Sequence, residues 1–247
     1  MIEYPKIQTL FLRDEKSIII PDKFTCPEFE YLKDCQWECT EKIDGTNMSI
    51  QLIPNGFTDG HVEWKRHIHG RTERANIPSL LKTKMESLFP MELLTKVFSL
   101  TDSLEENPSP IIIYGEGYGK KIQSCGSRYI KDDVNFILFD IKIGNWWLTR
   151  EALEEIANSL GIQIVPLVGY MTLTEAIEYV KKGFTSEVSE DETLAAEGLV
   201  LKTPIGLKNR KGDRLITKIK TCDFTKWNAA YGSCESIVQT PNKHYES

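Results

Sequence analysis

The apolar residues of the chain fall mostly in short runs rich in aromatic and β-branched side chains, a pattern typical of strands. The predicted strands cover residues 37–40, 48–53, 111–117, 135–141, 196–202 and 215–220. An Asp-Gly pair at 44–45 separates the first two, and Asp-Gly is a strong signal for a hairpin turn. The pattern therefore predicts a hairpin that places the ammonium of Lys42 at the lip of a sheet.

Helical periodicity predicts the elements between these strands. The segment 77–99 has apolar residues at helical spacing but contains Pro90, so we expect two short helices that meet at a bend. Capping signals predict two more helices, one from Thr149 to Gly161 and one from the capping box Thr172–Glu175 to Gly183. Strands that alternate irregularly with helices indicate an α+β fold with antiparallel sheets and the helices on the outside.

Composition indicates an intracellular protein with a full hydrophobic core. The chain has 247 residues, 40% of them hydrophobic, and a net charge of −6. It contains no apolar run of eighteen residues and no signal-like N-terminus, so we expect a cytoplasmic protein, or one of the host cytoplasm if viral, without membrane contact. The cysteines show no CxxC pair and are expected to be reduced thiols: Cys26, Cys35, Cys39, Cys125, Cys222 and Cys234. Without repeats or linkers, residues 1–247 are expected to form one domain.

Positive charge is concentrated near the end of the chain, although the whole chain is acidic. The basic residues there are opposed only by Asp213, and they are Lys202, Lys208, Arg210, Lys211, Arg214, Lys218 and Lys220. Lys218 and Lys220 lie two residues apart on a predicted strand, so both point to one face. Solubility does not require such a local excess, which indicates an anionic ligand.

Six short motifs occur in a fixed order at the predicted strand ends. They are Lys42-Ile43-Asp44-Gly45, Gly70-Arg71-Thr72, Tyr114-Gly115-Glu116, the run 136–141, Glu197-Gly198-Leu199-Val200 and Lys218-Ile219-Lys220. Together they resemble the covalent nucleotidyltransferase superfamily of polynucleotide ligases and capping enzymes, over residues 40–224. The Thr46-Asn47 pair and the run 220–224 are more similar to the nick-sealing and RNA-editing RNA ligases than to DNA ligases.

This resemblance implies an ATP cleft between antiparallel sheets, with Lys42 as the nucleophile that forms a lysyl-AMP intermediate. An unperturbed lysine, with a pKa of ~10.4, is almost wholly protonated at neutral pH, and lowering it to about 7 to 8 requires about 4 kcal/mol. Lys218, Lys220 and a divalent cation, Mg²⁺ or Mn²⁺, would destabilise the ammonium and also hold the triphosphate. The AMP would then pass to an RNA 5′-phosphate, which a 3′-hydroxyl attacks to seal the strand.

The resemblance also implies roles for carboxylates and an aromatic side chain around the nucleotide. Glu116 would contact the ribose, Glu197 would help to place the metal, and Glu41 would lie beside the base. Magnesium suits such a site because it takes one or two carboxylates together with phosphate oxygens. Phe136 and Phe139 are both candidates to stack on the purine. They lie on opposite faces of a strand, and the resemblance favours Phe139.

Two further residues are expected to contact the RNA. The guanidinium of Arg71 can grip a phosphate in two places, either the RNA 5′-phosphate or the phosphates of the nucleotide. In the RNA ligases that the chain resembles, the asparagine that matches Asn47 lies beside the terminal hydroxyl of the substrate, so the resemblance implies that role for Asn47. His67 and His69 alternate onto one face, and we interpret them as surface or RNA-facing residues because two histidines alone are weak evidence for a metal.

Several alternatives share these motifs. A DNA ligase normally carries an OB-fold, whereas 27 residues after Lys220 are too few for one, so the motif-bearing core is expected to span about 36–224. The protein would then hold RNA with its own basic surface or with an accessory RNA-binding protein. A capping enzyme would prefer GTP, and a non-catalytic module would bind nucleotide or RNA ends without turnover. The absence of a zinc module like that of NAD-dependent ligases favours ATP. The acidic loop, residues 186–194, has no predicted role.

Overall fold

The computed structural model describes residues 1–58, 60–72, 74–101 and 108–232. Over these residues the strands are β1 (Gln8–Thr9), β2 (Phe11–Arg13), β3 (Ile19–Phe24), β4 (Trp37–Glu41), β5 (Thr46–Thr58), β6 (His61–Gly70), β7 (Ile111–Gly119), β8 (Val134–Ile143), β9 (Trp146–Trp147), β10 (Gln163–Ile164), β11 (Leu167–Met171), β12 (Gly198–Lys202) and β13 (Ile216–Lys220). The helices are α1 (Pro27–Tyr31), α2 (Ser79–Leu88), α3 (Met91–Val97), α4 (Gly126–Tyr129), α5 (Arg150–Leu160), α6 (Leu173–Lys182) and α7 (Thr221–Tyr231).

The strands form two main sheets and a small β2–β3 pair. One sheet has the order β1-β13-β12-β4-β11, and the other has the order β10-β8-β7-β5-β6 with β9 beside β8. All pairings are antiparallel except the short additions of β1 to β13 and β10 to β8. The predicted α+β architecture with antiparallel sheets is therefore confirmed.

The predicted hairpin at Asp44-Gly45 is wrong, because β4 and β5 belong to different sheets. The backbone N–H of Lys42 donates to Gly198 O at 2.9 Å, which keeps the chain on the first sheet, whereas Thr46 is already paired with Gly117 in the second. Residues 42–45 thus cross from one sheet to the other. Gly45 is needed for this crossing, since a Cβ there would lie 2.4 Å from Gly117 O.

The helices cover the outer faces of both sheets. Helices α2, α3 and α5 bury the apolar side of the six-stranded sheet, and α6 and α7 bury that of the five-stranded sheet. The predicted caps are confirmed: the Thr149 hydroxyl accepts from Ala152 N, and Thr172 forms its capping box with Glu175. The bend at Pro90 separates α2 from α3. The inner faces of the two sheets are thereby left to face each other across a cleft.

The first seven residues, here called the N-terminal strap, cross this cleft before β1 joins the five-stranded sheet. Ile2 exchanges two hydrogen bonds with the side chain of Gln51 (3.1 and 2.9 Å), and the Tyr4 hydroxyl donates to Asp140 Oδ2 at 2.8 Å. Both partners lie in the six-stranded sheet. The strap therefore ties the two sheets together.

None of the helices in the described part of the chain has the length and apolar composition that a membrane span requires. The five cysteines within the described residues carry free thiols, and Cys234 lies outside them.

Candidate active site

The cleft between the sheets brings all the predicted site residues together. It has a volume of about 420 Å³. Its lining includes Glu41, Lys42, Asn47, Arg71, Glu116, Phe139, Glu197, Lys218 and Lys220. These residues come from both sheets and from the crossing between them, so the fold and not sequence proximity assembles the cleft.

Glu197 links two lysines at the centre of the cleft. Its Oε2 lies 2.5 Å from Lys42 Nζ, and its Oε1 lies 2.6 Å from Lys220 Nζ. The side chains of Lys42 and Glu197 are 19% and 16% exposed, so the pair is accessible only from the cleft. The ammonium of Lys42 is thus held where a ligand in the cleft would meet it.

Lys218 and Lys220 lie on the face of β13 that lines the cleft. Thr217 and Ile219, which alternate with them, are buried on the other face. Partial burial, followed by the positive charges of Lys42 and Lys220, lowers the pKa of Lys218. No salt bridge to Lys218 occurs among the described residues. The cleft therefore contains a crowded group of cations that an anionic ligand would relieve.

Glu116 lies across the cleft from these lysines, on β7 of the six-stranded sheet. Burial is the main cause that raises its pKa, to about 8, and the negative charges of Glu197 and Asp44 add to it. Lys42 and Arg71 oppose the shift. Glu116 is paired with Asn47 on β5, which places both polar side chains on the same wall of the cleft.

Glu41 lies deeper, and its residue is only 1% exposed. Its carboxylate accepts hydrogen bonds from Ser186 Oγ (2.5 Å) and from the backbone N–H of Glu187 (2.9 Å). Burial raises the pKa of Glu41, and these two hydrogen bonds oppose that effect. Both donors belong to the acidic loop, so this loop fixes one end of the cleft.

The acidic loop also braces the turn that carries Lys42, a role that the sequence did not reveal. Glu190 N–H donates to Tyr129 O, and Asp191 forms an ion pair with Arg128 at 2.7 Å. The Tyr129 hydroxyl in turn accepts from the backbone N–H of Asp44 at 3.2 Å. A chain of contacts therefore runs from the acidic loop through α4 to the crossing segment.

The structure places the two aromatic candidates in different environments. Phe136 is fully buried and packs on Phe89, at a centroid distance of 5.2 Å. Phe139 is the extra residue of a β-bulge in β8, since Tyr114 pairs with Asp140 and Gly115 with Leu138. The bulge turns Phe139 into the cleft, where it contacts the ring of Tyr4.

A buried ionic cluster closes the far end of the cleft. It separates the basic residues that the sequence concentrates between Lys202 and Lys220. Asp140 is fully buried and accepts from Arg214 at 2.6 Å and from Tyr4 at 2.8 Å. Lys202, which also lines the cleft, donates to Phe139 O at 3.0 Å. These basic residues therefore do not form one surface. Lys202 and Arg214 make hydrogen bonds within the fold. Lys208, Arg210 and Lys211 are exposed on a loop.

Known structures share this fold. A Naegleria gruberi RNA ligase with pyrophosphate is 18% identical (TM-score 0.59), covering 93% of this chain and 58% of that one. A lysine-to-alanine variant of that ligase with ATP and manganese is 19% identical (TM-score 0.56), with coverages of 82% and 54%. The chain thus spans little more than half the length of these proteins. No curated protein is significantly similar to it in sequence.

The sequence identities to these solved structures are too low to assign a protein family, but a family model does assign one. The model for RNA ligases matches residues 36–220, which includes every strand of the two main sheets except β1 and every predicted site residue. The chain therefore belongs to the RNA ligase family.

Proposed function

We propose that this protein is an ATP-dependent RNA ligase that joins a 5′-phosphate end to a 3′-hydroxyl end through a lysyl-AMP intermediate. The observation that carries the proposal is the placement of Lys42 Nζ at the centre of a cleft lined by Glu197, Lys218 and Lys220. The family match supports the substrate class, and a relative bound to ATP and manganese supports the nucleotide and the metal.

Lys42 is the proposed nucleophile and attacks the α-phosphorus of ATP with release of pyrophosphate. Lys218 and Lys220 lie on the same face of β13 and would hold the phosphate oxygens as negative charge develops on them. Phe139, Glu41 and Glu116 all line the cleft. Phe139 would stack on the purine, Glu41 would lie beside the base, and Glu116 would contact the ribose. AMP then passes from Lys42 to the RNA 5′-phosphate, and the 3′-hydroxyl displaces it.

The carboxylate of Glu197 fits a divalent cation that also binds phosphate oxygens. No group of three or more His, Cys, Asp and Glu side chains that could hold a metal occurs among the described residues, and magnesium does not need one when phosphates complete its shell. When bound at Glu197, such a cation supplies positive charge that competes with the Lys42 ammonium and neutralises the phosphates.

Asn47 and Arg71 are the proposed contacts to RNA at the mouth of the cleft. Arg71 is exposed and close enough to Glu116 and Lys218 to affect the pKa of each. A guanidinium in that position can bind the 5′-phosphate with two parallel hydrogen bonds. Asn47 shares the wall with Glu116 and can reach the terminal hydroxyl.

The intact mass of the protein after incubation with magnesium and either ATP or GTP tests the first step. We expect the mass of one AMP to be added to the wild-type protein and none to be added to Lys42→Ala. The matched control is Lys23→Ala, which removes an exposed lysine on β3, away from the cleft lining. An adduct that survives in Lys42→Ala would disprove the assignment of the nucleophile.

The same preparation then tests the substrate. Preadenylylated nicks in RNA and in DNA are compared, and the proposal requires faster sealing of the RNA nick. A GMP adduct would instead indicate a capping enzyme. Protein stripped with pyrophosphate that gains neither nucleotide would indicate a binding module.

A further inference from the structure

Strand β6 carries a row of cationic and imidazole side chains that the proposed chemistry does not use. The row consists of Lys65, His67 and His69, and it continues into Arg71 at the mouth of the cleft. Successive members are two residues apart, so they point to the same face of the sheet. We call this set the β6 row.

The β6 row is not needed for the core. The alternate residues Trp64 and Ile68 pack against the hydrophobic core on the opposite face, and Arg66 donates to the carbonyl of Phe89 at the end of α2. Lys65 and His67 are exposed, and β6 is the edge strand of its sheet. Folding thus leaves Lys65 and His67 open to solvent, while His69 is half-buried.

The row also lies on the same face as the active site. Cross-strand pairing places His69 beside Ser49, His67 beside Gln51 and Lys65 beside Ile53. The same face of β5 continues to Asn47, which lines the cleft. None of these β5 neighbours is charged; along β6 itself the row ends at the exposed carboxylate of Glu63, two residues before Lys65. A ligand that leaves the cleft past Arg71 therefore meets His69, His67 and Lys65 in turn.

The chemistry of the row fits a nucleic acid strand. The ring centroids of His67 and His69 lie 5.9 Å apart and the ring planes are nearly parallel, at 17°, so the exposed His67 ring offers a planar face on which a base can stack. Planar side chains flanked by cations are the combination that binds single strands, because bases stack on the rings and phosphates pair with the charges. Spacing along a strand, about 6.6 to 6.8 Å for every second residue, lets the row follow an extended backbone.

We propose that the β6 row binds the single-stranded RNA segment that follows the 5′-phosphate end, and so guides that end into the cleft. This proposal rests on the proposed RNA ligase function and on Arg71 as the contact to the 5′-phosphate. The occupant is the sugar-phosphate backbone together with one or two bases that stack on His67 and His69.

The test is fluorescence anisotropy with 5′-phosphorylated RNA of two and twelve nucleotides, at several salt concentrations. We expect wild-type protein to bind the longer RNA more tightly and the double variant Lys65→Ala/His67→Ala to lose about tenfold of that gain. Loss of one phosphate contact should reduce the slope of log K against log salt by about 0.7. The affinity for the dinucleotide should be the same in both proteins.

Two further variants make the result specific. Lys82→Ala removes one exposed lysine from α2, behind the sheet, and should bind both RNAs like the wild-type protein. Lys65→Arg/His67→Phe keeps the charge and the planar ring and should restore the length-dependent gain. Equal binding of the longer RNA by Lys65→Ala/His67→Ala and by the wild-type protein would overturn the proposal. Lysyl-AMP formation by the wild-type protein is measured separately, so a failure of the proposed function would be visible on its own.

Discussion

The raised pKa of Glu116 makes the stability of the ligand-free protein depend on pH. Burial opposite a cleft that also contains Glu197 raises the pKa of this carboxyl to about 8, from an ordinary value of 4.5. In the unfolded chain the carboxyl loses its proton near the lower value, whereas the folded protein keeps it until the pH approaches the higher one. The native state therefore loses stability progressively as the pH rises from about 4.5 to about 8, and the loss is complete above about 8.

The expected size follows from these two values. Between pH 6 and about pH 8 the folded protein holds a proton that the unfolded chain has lost. This interval of about two pH units corresponds to about 3 kcal/mol of lost stability. For a domain of this size, 1 kcal/mol shifts the melting temperature by about 2 to 4 °C. The wild-type protein should therefore lose roughly 6 to 12 °C through this one group.

Glu116→Gln removes the titration and keeps the shape of the side chain. Thermal melts of both proteins from pH 6 to pH 9 in EDTA, without nucleotide, isolate the effect because all other groups titrate in both proteins. We expect the variant to gain stability relative to the wild-type protein as the pH rises. Melting curves that shift in parallel across this range would show that Glu116 is already ionised at pH 6 and would refute the reasoning.

Two other substitutions test the buried cluster and the braced turn. Arg214→Met should destabilise the protein by about 3 to 5 kcal/mol, because it leaves the buried carboxylate of Asp140 without its main partner. Urea unfolding measures this loss. The control is Arg210→Met on the exposed loop, which should change the stability little. Tyr129→Phe removes the acceptor of the Asp44 backbone N–H, so it should cost about 1 to 3 kcal/mol and slow lysyl-AMP formation, measured by quenched mass spectrometry.

Tyr118→Phe is the matched control for Tyr129→Phe. Tyr118 is also buried and its ring packs on that of Tyr129, but its hydroxyl donates to Gln163 at 2.6 Å and not to the Lys42 turn. It should lose comparable stability without slowing adduct formation. Equal slowing in both variants would mean that Tyr129 acts only through overall stability.

The secondary structure was predictable because its signals are local. Thr149 and Thr172 cap their helices with groups three residues away, and Pro90 breaks a helix at its own position. Sheet membership is not local, which is why the predicted hairpin failed. The partner that holds Lys42 on the first sheet is Gly198, far along the chain, and no pattern near Lys42 records it.

The residues of the candidate site were likewise predictable only where their sequence signal is local. Residues at the ends of predicted strands, such as Lys42 and Glu116, could be recognised because they place charge where an apolar strand ends. The acidic loop could not be assigned, because its contacts with Glu41 and Arg128 depend on the tertiary fold. The charged Asp140 within an apolar strand was a signal for a buried partner, but the sequence did not indicate that Arg214 would supply it.

The crossing of the chain at residues 42–45 has a mechanical consequence. A second crossing, at residues 165–166, lies beside it, since Glu41 N–H donates to Pro166 O at 3.0 Å. Two adjacent covalent connections between two sheets act as a hinge, and rotation about a hinge moves nearby atoms least. A rotation that separated the sheets would have to break the contacts of Asp140 with Tyr4 and Arg214. Because Lys42 lies on one of the two connections, such a rotation would move Lys42 less than residues farther from the crossings.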